Sequence, residues 1–97
     1  MRRLNTLLCA SNRIERVDSS FSQFVPNLET LVLSNNNIEE LAQLEGLFGC
    51  ERLQRLVLVD NAVTMQPHYR LFLIYQLQAL RTLDYAKVTP DVLTSIT

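Results

Sequence analysis

The stretch that decides the fold is Leu28 to Leu41, LETLVLSNNNIEEL. Its first leucines, Leu28, Leu31 and Leu33, follow the spacing LxxLxL, and Asn36 comes three residues later. Side chains two residues apart on a strand point to the same side, so Leu31 and Leu33 are predicted to face inward and their neighbours outward. An Asn side chain both donates and accepts hydrogen bonds, which a buried turn requires. The stretch therefore predicts a short strand that turns a corner at Asn36.

The same pattern occurs four times along the chain, the last time in degenerate form. The copies begin at Leu4, Leu28, Leu53 and Leu80, at intervals of 24, 25 and 27 residues. The first three carry an asparagine at the corner: Asn12, Asn36 and Asn61. The pattern LxxLxLxxNxL at this period is typical of leucine-rich repeats. We therefore predict an α/β leucine-rich-repeat solenoid with a short parallel concave sheet, a helical or 3₁₀ convex side and a C-terminal cap.

One domain is predicted over residues 1–97, with repeats at about 4–27, 28–52 and 53–79 and the cap at about 63–88. Within the cap, the sequence predicts a helix over His68–Leu77 and a final strand over Leu80–Tyr85, because the last repeat must cover the core. Leu4 enters a strand almost at once and leaves its edge unpaired, which is an aggregation hazard. Either the chain is a fragment that lacks N-terminal repeats or something else covers that end, and we expect the fragment.

Apolar residues between the strands are predicted to fill the core behind the sheet. Phe21 and Phe24 are at helical spacing after Asp18-Ser19-Ser20, which can cap a helix or 3₁₀ turn. In the next segment Leu47 and Phe48 continue a helical pattern. In the cap, Leu71, Ile74 and Leu77 are predicted to share one face of the helix, with Tyr75 beside it.

Composition excludes several classes of protein. The chain has 97 residues, is 47% hydrophobic and 20% charged, and has a net charge of −1, which indicates one small globular domain without a broad nucleic-acid footprint. The start, MRRLNTLLCAS, has the outline of a signal peptide, but Asn5 and Thr6 interrupt its short apolar run. No stretch approaches the roughly 20 apolar residues of a membrane span, so no membrane association is expected.

No residues indicate catalysis, a cofactor, a metal or a small-molecule substrate. Cys9 and Cys50 form no CxxC or Cys/His cluster, and we expect both to be reduced, in a cytosolic or nuclear protein. His68 is the sole histidine and lies far in sequence from any paired carboxylates. A general-base role for it is the only basis for an enzyme, and a solvated or capping role is the alternative.

The outward positions of the strands define a candidate partner-binding surface. Its members, by repeat register, are Thr6, Leu8, Ala10, Thr30, Val32, Ser34, Arg55, Val57, Val59, Thr82, Asp84 and Ala86. Leu8, Val32 and Val57 fall on successive strands, about 4.8 Å apart, and form a continuous apolar row. Such an exposed row indicates an interaction site and suits an amphipathic helix of a partner. The alternative is that β-branched residues simply favour strands.

Further motifs resemble one family. The segments Asn61-Ala62-Val63-Thr64, His68-Tyr69-Arg70-Leu71, Ile74-Tyr75 and Leu83-Asp84-Tyr85 resemble the A-prime family of the U2 small nuclear ribonucleoprotein. The resemblance extends from about Arg3 to Lys87, and the form HYRL followed by IY is its most specific part. Two features depart from the family pattern: Ala62 replaces the usual proline, and the family's N-terminal cap and first repeats are missing before Leu4.

The resemblance implies a non-enzymatic, nuclear role in pre-mRNA splicing. Members of this family seat a helix of the B-double-prime protein, which contains an RNA-recognition motif, in the concave sheet, and the pair holds a stem-loop of U2 RNA. RNA contact is then mainly indirect, with Arg2, Arg3 and Arg13 as candidates for proximity to RNA or as solvated surface residues. The other reading is an adaptor from another leucine-rich-repeat subfamily, phosphatase-regulatory or cytoskeletal.

Overall fold

The computed structural model describes residues 3–88, and its strands form one sheet in chain order. The strands are β1 (Thr6–Leu8), β2 (Thr30–Val32), β3 (Arg55–Val57), β4 (Thr82–Leu83) and β5 (Ala86–Lys87). The first three pairings are parallel, and β4 pairs with β5 antiparallel. Helices α1 (Phe21–Phe24) and α2 (Tyr69–Gln76) and 3₁₀ helices at Leu41–Leu47 and Ala62–Met65 connect the strands. The predicted parallel solenoid sheet is confirmed.

The leucines at the centre of each strand are in register and form the inner wall. Leu7, Leu31, Leu56 and Leu83 are paired in sequence across the four parallel strands. The last three are buried, whereas Leu7 in β1 is half-buried. Alternation along the short strands therefore places the LxxLxL leucines in the core, as predicted.

The corner asparagines join neighbouring repeats. Asn61 Oδ1 accepts the Ile38 N–H at 3.1 Å, and its Nδ2 donates to the carbonyls of Leu33 at 2.8 Å and Leu58 at 3.0 Å. Asn36 makes the corresponding bonds to the first repeat, starting with the Ile14 N–H at 3.1 Å. Because both side chains are buried, these bonds satisfy backbone groups that water does not reach.

Residues in the left-handed region precede each corner asparagine. Ser11, Asn35 and Asp60 have φ values of 59°, 55° and 64°. Small polar side chains tolerate this conformation because they form local hydrogen bonds. This conformation repeats with the period of the solenoid and turns the chain out of each strand.

The convex side departs from the sequence prediction at one phenylalanine. Leu47 is fully buried, and Phe21 and Phe48 pack against the core. Phe24, which we predicted to lie in the core, is instead 64% exposed. Helix α1 has only four residues, so it does not keep both of its phenylalanines on the inner face.

One glycine on the convex side allows the backbone of two repeats to approach closely. Gly46 N–H donates to the Val17 carbonyl at 3.1 Å. A Cβ at residue 46 would overlap the Asp18 carbonyl oxygen and lie 2.6 Å from that of Val17. Only glycine fits this contact, which the sequence pattern did not indicate.

The last repeat ends in a hairpin, and the strand predicted over Leu80–Tyr85 is present only at Thr82–Leu83. Strand β4 stops at Leu83, and Asp84 and Tyr85 have φ values of 52° and 68°. Positive φ at both central residues is the signature of a tight two-residue hairpin turn. Tyr85, which occupies the third apolar position of the degenerate LxxLxL pattern, is therefore exposed and not in the core.

Helix α2 covers the last buried leucines. It begins at Tyr69, one residue after the predicted start, because His68 is left-handed with φ of 60°. Its buried side chains are Tyr69, Leu73 and Ile74, followed by Leu77 just after the helix. The predicted face is therefore shifted, since Leu71 is only half-buried. Tyr75 is exposed.

Candidate partner-binding surface

Two rows of side chains cross the concave face of the sheet. The apolar row consists of Leu8, Val32 and Val57, which are in register on β1, β2 and β3. The polar row contains Thr6, Thr30, Arg55 and Thr82, also in register. Backbone hydrogen bonding between the repeats continues past the strand ends. The Ser11 N–H donates to the Ser34 carbonyl, and the Asn35 N–H donates to the Val59 carbonyl. The sheet thus keeps Ala10, Ser34 and Val59 beside the apolar row.

Exposure along the apolar row falls from the first strand to the third. Leu8 is 70% exposed, Val32 is half-buried and Val57 is 6% exposed. Val57 therefore departs from the sequence expectation of an open side chain, although it is not part of the core that holds Leu56 and Leu58. The accessible apolar surface is accordingly centred on Leu8 and Val32.

Asp84 is engaged in holding the fold together. Its Oδ1 accepts the Leu58 N–H at 2.6 Å, and its Oδ2 accepts the Tyr69 hydroxyl at 2.7 Å. Burial, followed by the hydrogen bond and the charge of Asp84, raises the pKa of the Tyr69 phenol well above its usual range. The sequence predicted Asp84 as an outward surface residue, whereas both of its carboxylate oxygens are bound within the chain.

The hairpin also changes which residue of β5 belongs to the concave face. Directly opposed residues of an antiparallel pair lie on the same face of a sheet. Lys87 is opposite Thr82, and Ala86 is opposite the inward residue Leu83. Lys87 therefore extends the polar row, whereas the sequence prediction assigned Ala86 to this face. Periodicity did not reveal Lys87 because the turn at Asp84 and Tyr85 reverses the chain.

Two of the three arginines named as candidates for RNA proximity lie in the described part of the chain. Arg3 and Arg13 are exposed near the two ends of β1, and Arg2 lies outside the described residues. His68 is exposed at the start of α2, where its backbone carbonyl accepts the Phe72 N–H at 2.8 Å.

Cys9 and Cys50 are free thiols, and burial raises the pKa of Cys50. Within residues 3–88 there is no group of His, Cys, Asp and Glu that could hold a metal ion, and no helix long and apolar enough to cross a membrane.

The repeat geometry and the open concave sheet define the class of protein. A family model described as leucine-rich repeat matches residues 1–92, and the chain belongs to this leucine-rich-repeat family. Within it, the chain is homologous to the U2 small nuclear ribonucleoprotein A′ proteins, which confirms the resemblance seen in the motifs. These relatives are leucine-rich-repeat subunits of a ribonucleoprotein and not enzymes.

Relatives from distant organisms match most of the chain. The A′ protein of Aspergillus fumigatus is 46% identical over 86 residues, which cover 89% of this chain and 34% of the relative. The human A′ protein is 42% identical over 88 residues, which cover 91% of this chain and 34% of the relative. The chain therefore spans about a third of the length of these relatives.

Solved structures share the fold of this chain, among them an SNF/U2A′ complex and a Mex67 domain. The crystal structure of the Drosophila melanogaster SNF/U2A′ complex matches with a TM-score of 0.91 and 38% identity, over 96% of this chain and 53% of the matched chain. The Mex67 leucine-rich-repeat domain of Chaetomium thermophilum matches with a TM-score of 0.81 and 28% identity, over 94% and 63% of the two chains.

Proposed function

We propose that this chain is a non-enzymatic protein-binding subunit of the U2 small nuclear ribonucleoprotein. Its concave sheet binds one helix of an RNA-recognition-motif protein of the B-double-prime type. Through that partner it supports the binding of U2 small nuclear RNA during pre-mRNA splicing in the nucleus. The homology to A′ proteins and the matched SNF/U2A′ complex support this assignment.

The exposed part of the apolar row carries the proposal. Leu8 is 70% exposed. Apolar surface left in contact with water is unfavourable by about 25 cal/mol for each Å² relative to buried surface. Val32 continues this surface on the neighbouring strand. An apolar partner surface that covers both side chains removes that cost, and Thr6 and Thr30 offer polar contacts at its margin.

The spacing of the row suits a helix that crosses the strands. Adjacent strands lie about 4.8 Å apart, and helical residues three apart rise about 4.5 Å along the axis. A helix laid across β1, β2 and β3 therefore places an apolar side chain near each strand in turn. In this mode of recognition a helix binds in a groove through apolar side chains at positions i, i+3 and i+7.

RNA binding through the partner agrees with the charge of the chain. A net charge of −1 provides little of the phosphate neutralisation on which non-specific RNA affinity depends. Arg3 and Arg13 are exposed and are the described residues that we propose to approach phosphate groups. Their contribution is secondary to that of the partner.

The test is calorimetric binding to purified SNF, the protein that accompanies U2A′ in the matched complex. Val32→Asp is expected to weaken binding by at least about tenfold, because the new carboxylate must be desolvated against apolar surface. Ala42→Asp, at an exposed residue of the first 3₁₀ helix on the convex side, is the matched control and should bind as the unsubstituted chain does. Equal affinities for the two variants would place the binding site elsewhere.

A further inference from the structure

The polar row ends in two cations that lie on either side of Thr82. Arg55 is opposite Thr82 on β3, and Lys87 is opposite Thr82 on β5. Both side chains are exposed. Two strand spacings separate their backbones by about 10 Å.

Neither cation is neutralised by another described residue. Within residues 3–88, no carboxylate forms an ion pair or hydrogen bond with the side chain of Arg55 or Lys87. Asp84 is close in sequence, but its two oxygens accept the Leu58 N–H and the Tyr69 hydroxyl. Among residues 3–88, the C-terminal half of the concave face therefore carries two positive charges that no carboxylate neutralises.

We propose that Arg55 and Lys87 together select a partner helix whose flank carries two carboxylates. This inference rests on the proposed function, since it names the chemistry of the helix that the concave sheet binds. Arg55 and Val57 are two residues apart on β3, so about 6.7 Å separates the polar row from the apolar row. An occupant that covers both rows has an apolar stripe beside an acidic one. Helical residues i and i+7 rise about 10.5 Å, which matches the separation of the two cations.

The apolar row favours protein carboxylates over RNA phosphates as the source of the negative charge. A phosphate backbone seated on the polar row would lie against Val32 and Leu8 and lose hydration without hydrogen-bond compensation. A helix avoids this cost because its apolar and acidic side chains occupy different faces. Long-range attraction by the cations also accelerates association with an acidic partner.

The experiment measures binding of the 97-residue chain to purified SNF at about 0.1 M and about 1 M salt. The variant is Arg55→Glu with Lys87→Glu. Its control is Arg16→Glu with Arg52→Glu, which makes the same change in net charge at exposed loop residues outside the sheet. We expect the variant to bind about tenfold more weakly than the control at low salt and the difference to shrink at high salt, where screening is strong. Circular dichroism confirms that both variants are folded.

A charge swap identifies the contact. SNF carboxylates that are shielded from solvent in the complex are replaced by lysine. These substitutions are expected to restore binding to the chain with Arg55→Glu and Lys87→Glu, and to weaken binding to the unsubstituted chain.

Three outcomes would overturn the inference. Loss of binding in Val32→Asp with unchanged binding in the double variant would overturn this inference and leave the proposed function intact. No binding by the unsubstituted chain would overturn both. Unchanged SNF binding with weaker capture of U2 RNA by the chain–SNF complex would assign the cations to phosphate and also overturn the inference.

Discussion

Tyr69 and Asp84 join helix α2 to the end of the sheet: the Tyr69 hydroxyl donates a 2.7 Å hydrogen bond to Oδ2 of Asp84. The other carboxylate oxygen accepts the Leu58 N–H at 2.6 Å. Arg70 Nη1 donates to the Leu83 carbonyl at 3.0 Å nearby. One carboxylate therefore connects the last helix, the final turn and the residue that follows β3, at the point where parallel pairing ends.

Asp84→Ala is expected to lower the free energy of unfolding by about 2–4 kcal/mol. The substitution removes the acceptors of the Leu58 N–H and the Tyr69 hydroxyl, at about 1–3 kcal/mol for each buried group. It also places a residue with a Cβ and no polar group at φ of 52°. Urea denaturation measures the change. Asp84→Asn keeps an acceptor and tolerates this φ, so it should lower the free energy of unfolding by only about 1 kcal/mol. Equal losses of stability in the two variants would contradict the assigned role of the carboxylate.

Stability is expected to fall at high pH because of Tyr69. Burial and the bond to Asp84 raise the pKa of its phenol above the ordinary value of about 10. Below pH 10 both the folded and the unfolded chain keep the proton, so this group causes no change there. Above pH 10 the unfolded chain loses the proton first, and stability falls by up to about 1.4 kcal/mol per pH unit. Denaturation at pH 9 to 11 should show a flatter decline in Tyr69→Phe, and parallel slopes would refute the assignment.

Leu58 and Val32 test whether alternate side chains face opposite sides of the sheet. Leu58 is fully buried, so Leu58→Ala should cost about 2–5 kcal/mol through lost transfer energy and a cavity. Val32 is half-buried on the concave face, and Val32→Ala should cost about 1 kcal/mol or less. Thermal and chemical denaturation of both variants measures the difference. Similar losses would mean that the register is wrong.

The sequence predicted the first three repeats well because their geometry is local and periodic. The two-residue alternation of a strand and a constant repeat length are enough to place Leu31 and Leu56 in the core and Val32 on the concave face. The pattern also predicted the positions of the corner asparagines, since Asn36 and Asn61 bond to backbone groups at fixed offsets.

The last repeat could not be predicted in the same way. Leu83-Asp84-Tyr85 copies the spacing of a strand, but long-range bonds from Leu58 and Tyr69 hold Asp84 in a turn. That turn places Lys87 rather than Ala86 in the polar row. The close approach at Gly46 likewise depends on a contact between repeats, which a single-sequence pattern does not contain.

Asn61 and Asn12 occupy the same position of the repeat and are expected to differ in importance. Asn61 is buried and bonds to the repeat before it. Asn61→Ala leaves the Ile38 N–H unsatisfied and removes one of the two side-chain bonds to the Leu33 carbonyl, which keeps the bond from Asn36, at about 2–4 kcal/mol. Asn12 is exposed and donates to Cys9 and Ala10 of its own repeat. Asn12→Ala should therefore cost less than about 1 kcal/mol in the same urea titration. A larger loss for Asn12 than for Asn61 would show that the cross-repeat bonds are not what stabilises the ladder.

Gly46→Ala is expected to destabilise the chain by about 3 kcal/mol, within the range of severe overpacking. The added Cβ would collide with the carbonyl oxygens of Asp18 and Val17, which belong to the backbone and cannot rotate away. It would also disturb the bond from Gly46 N–H to Val17 that links the first and second repeats. Gly49→Ala is the milder comparison, because its Cβ would meet the side chain of Ser22 and no backbone atom. The Ser22 hydroxyl can rotate away, and the Ser22 Cβ at 2.9 Å needs only a small shift. Calorimetric melting of both variants measures the effect, and a Gly46→Ala chain as stable as Gly49→Ala would show that the two repeats can separate at this contact without cost.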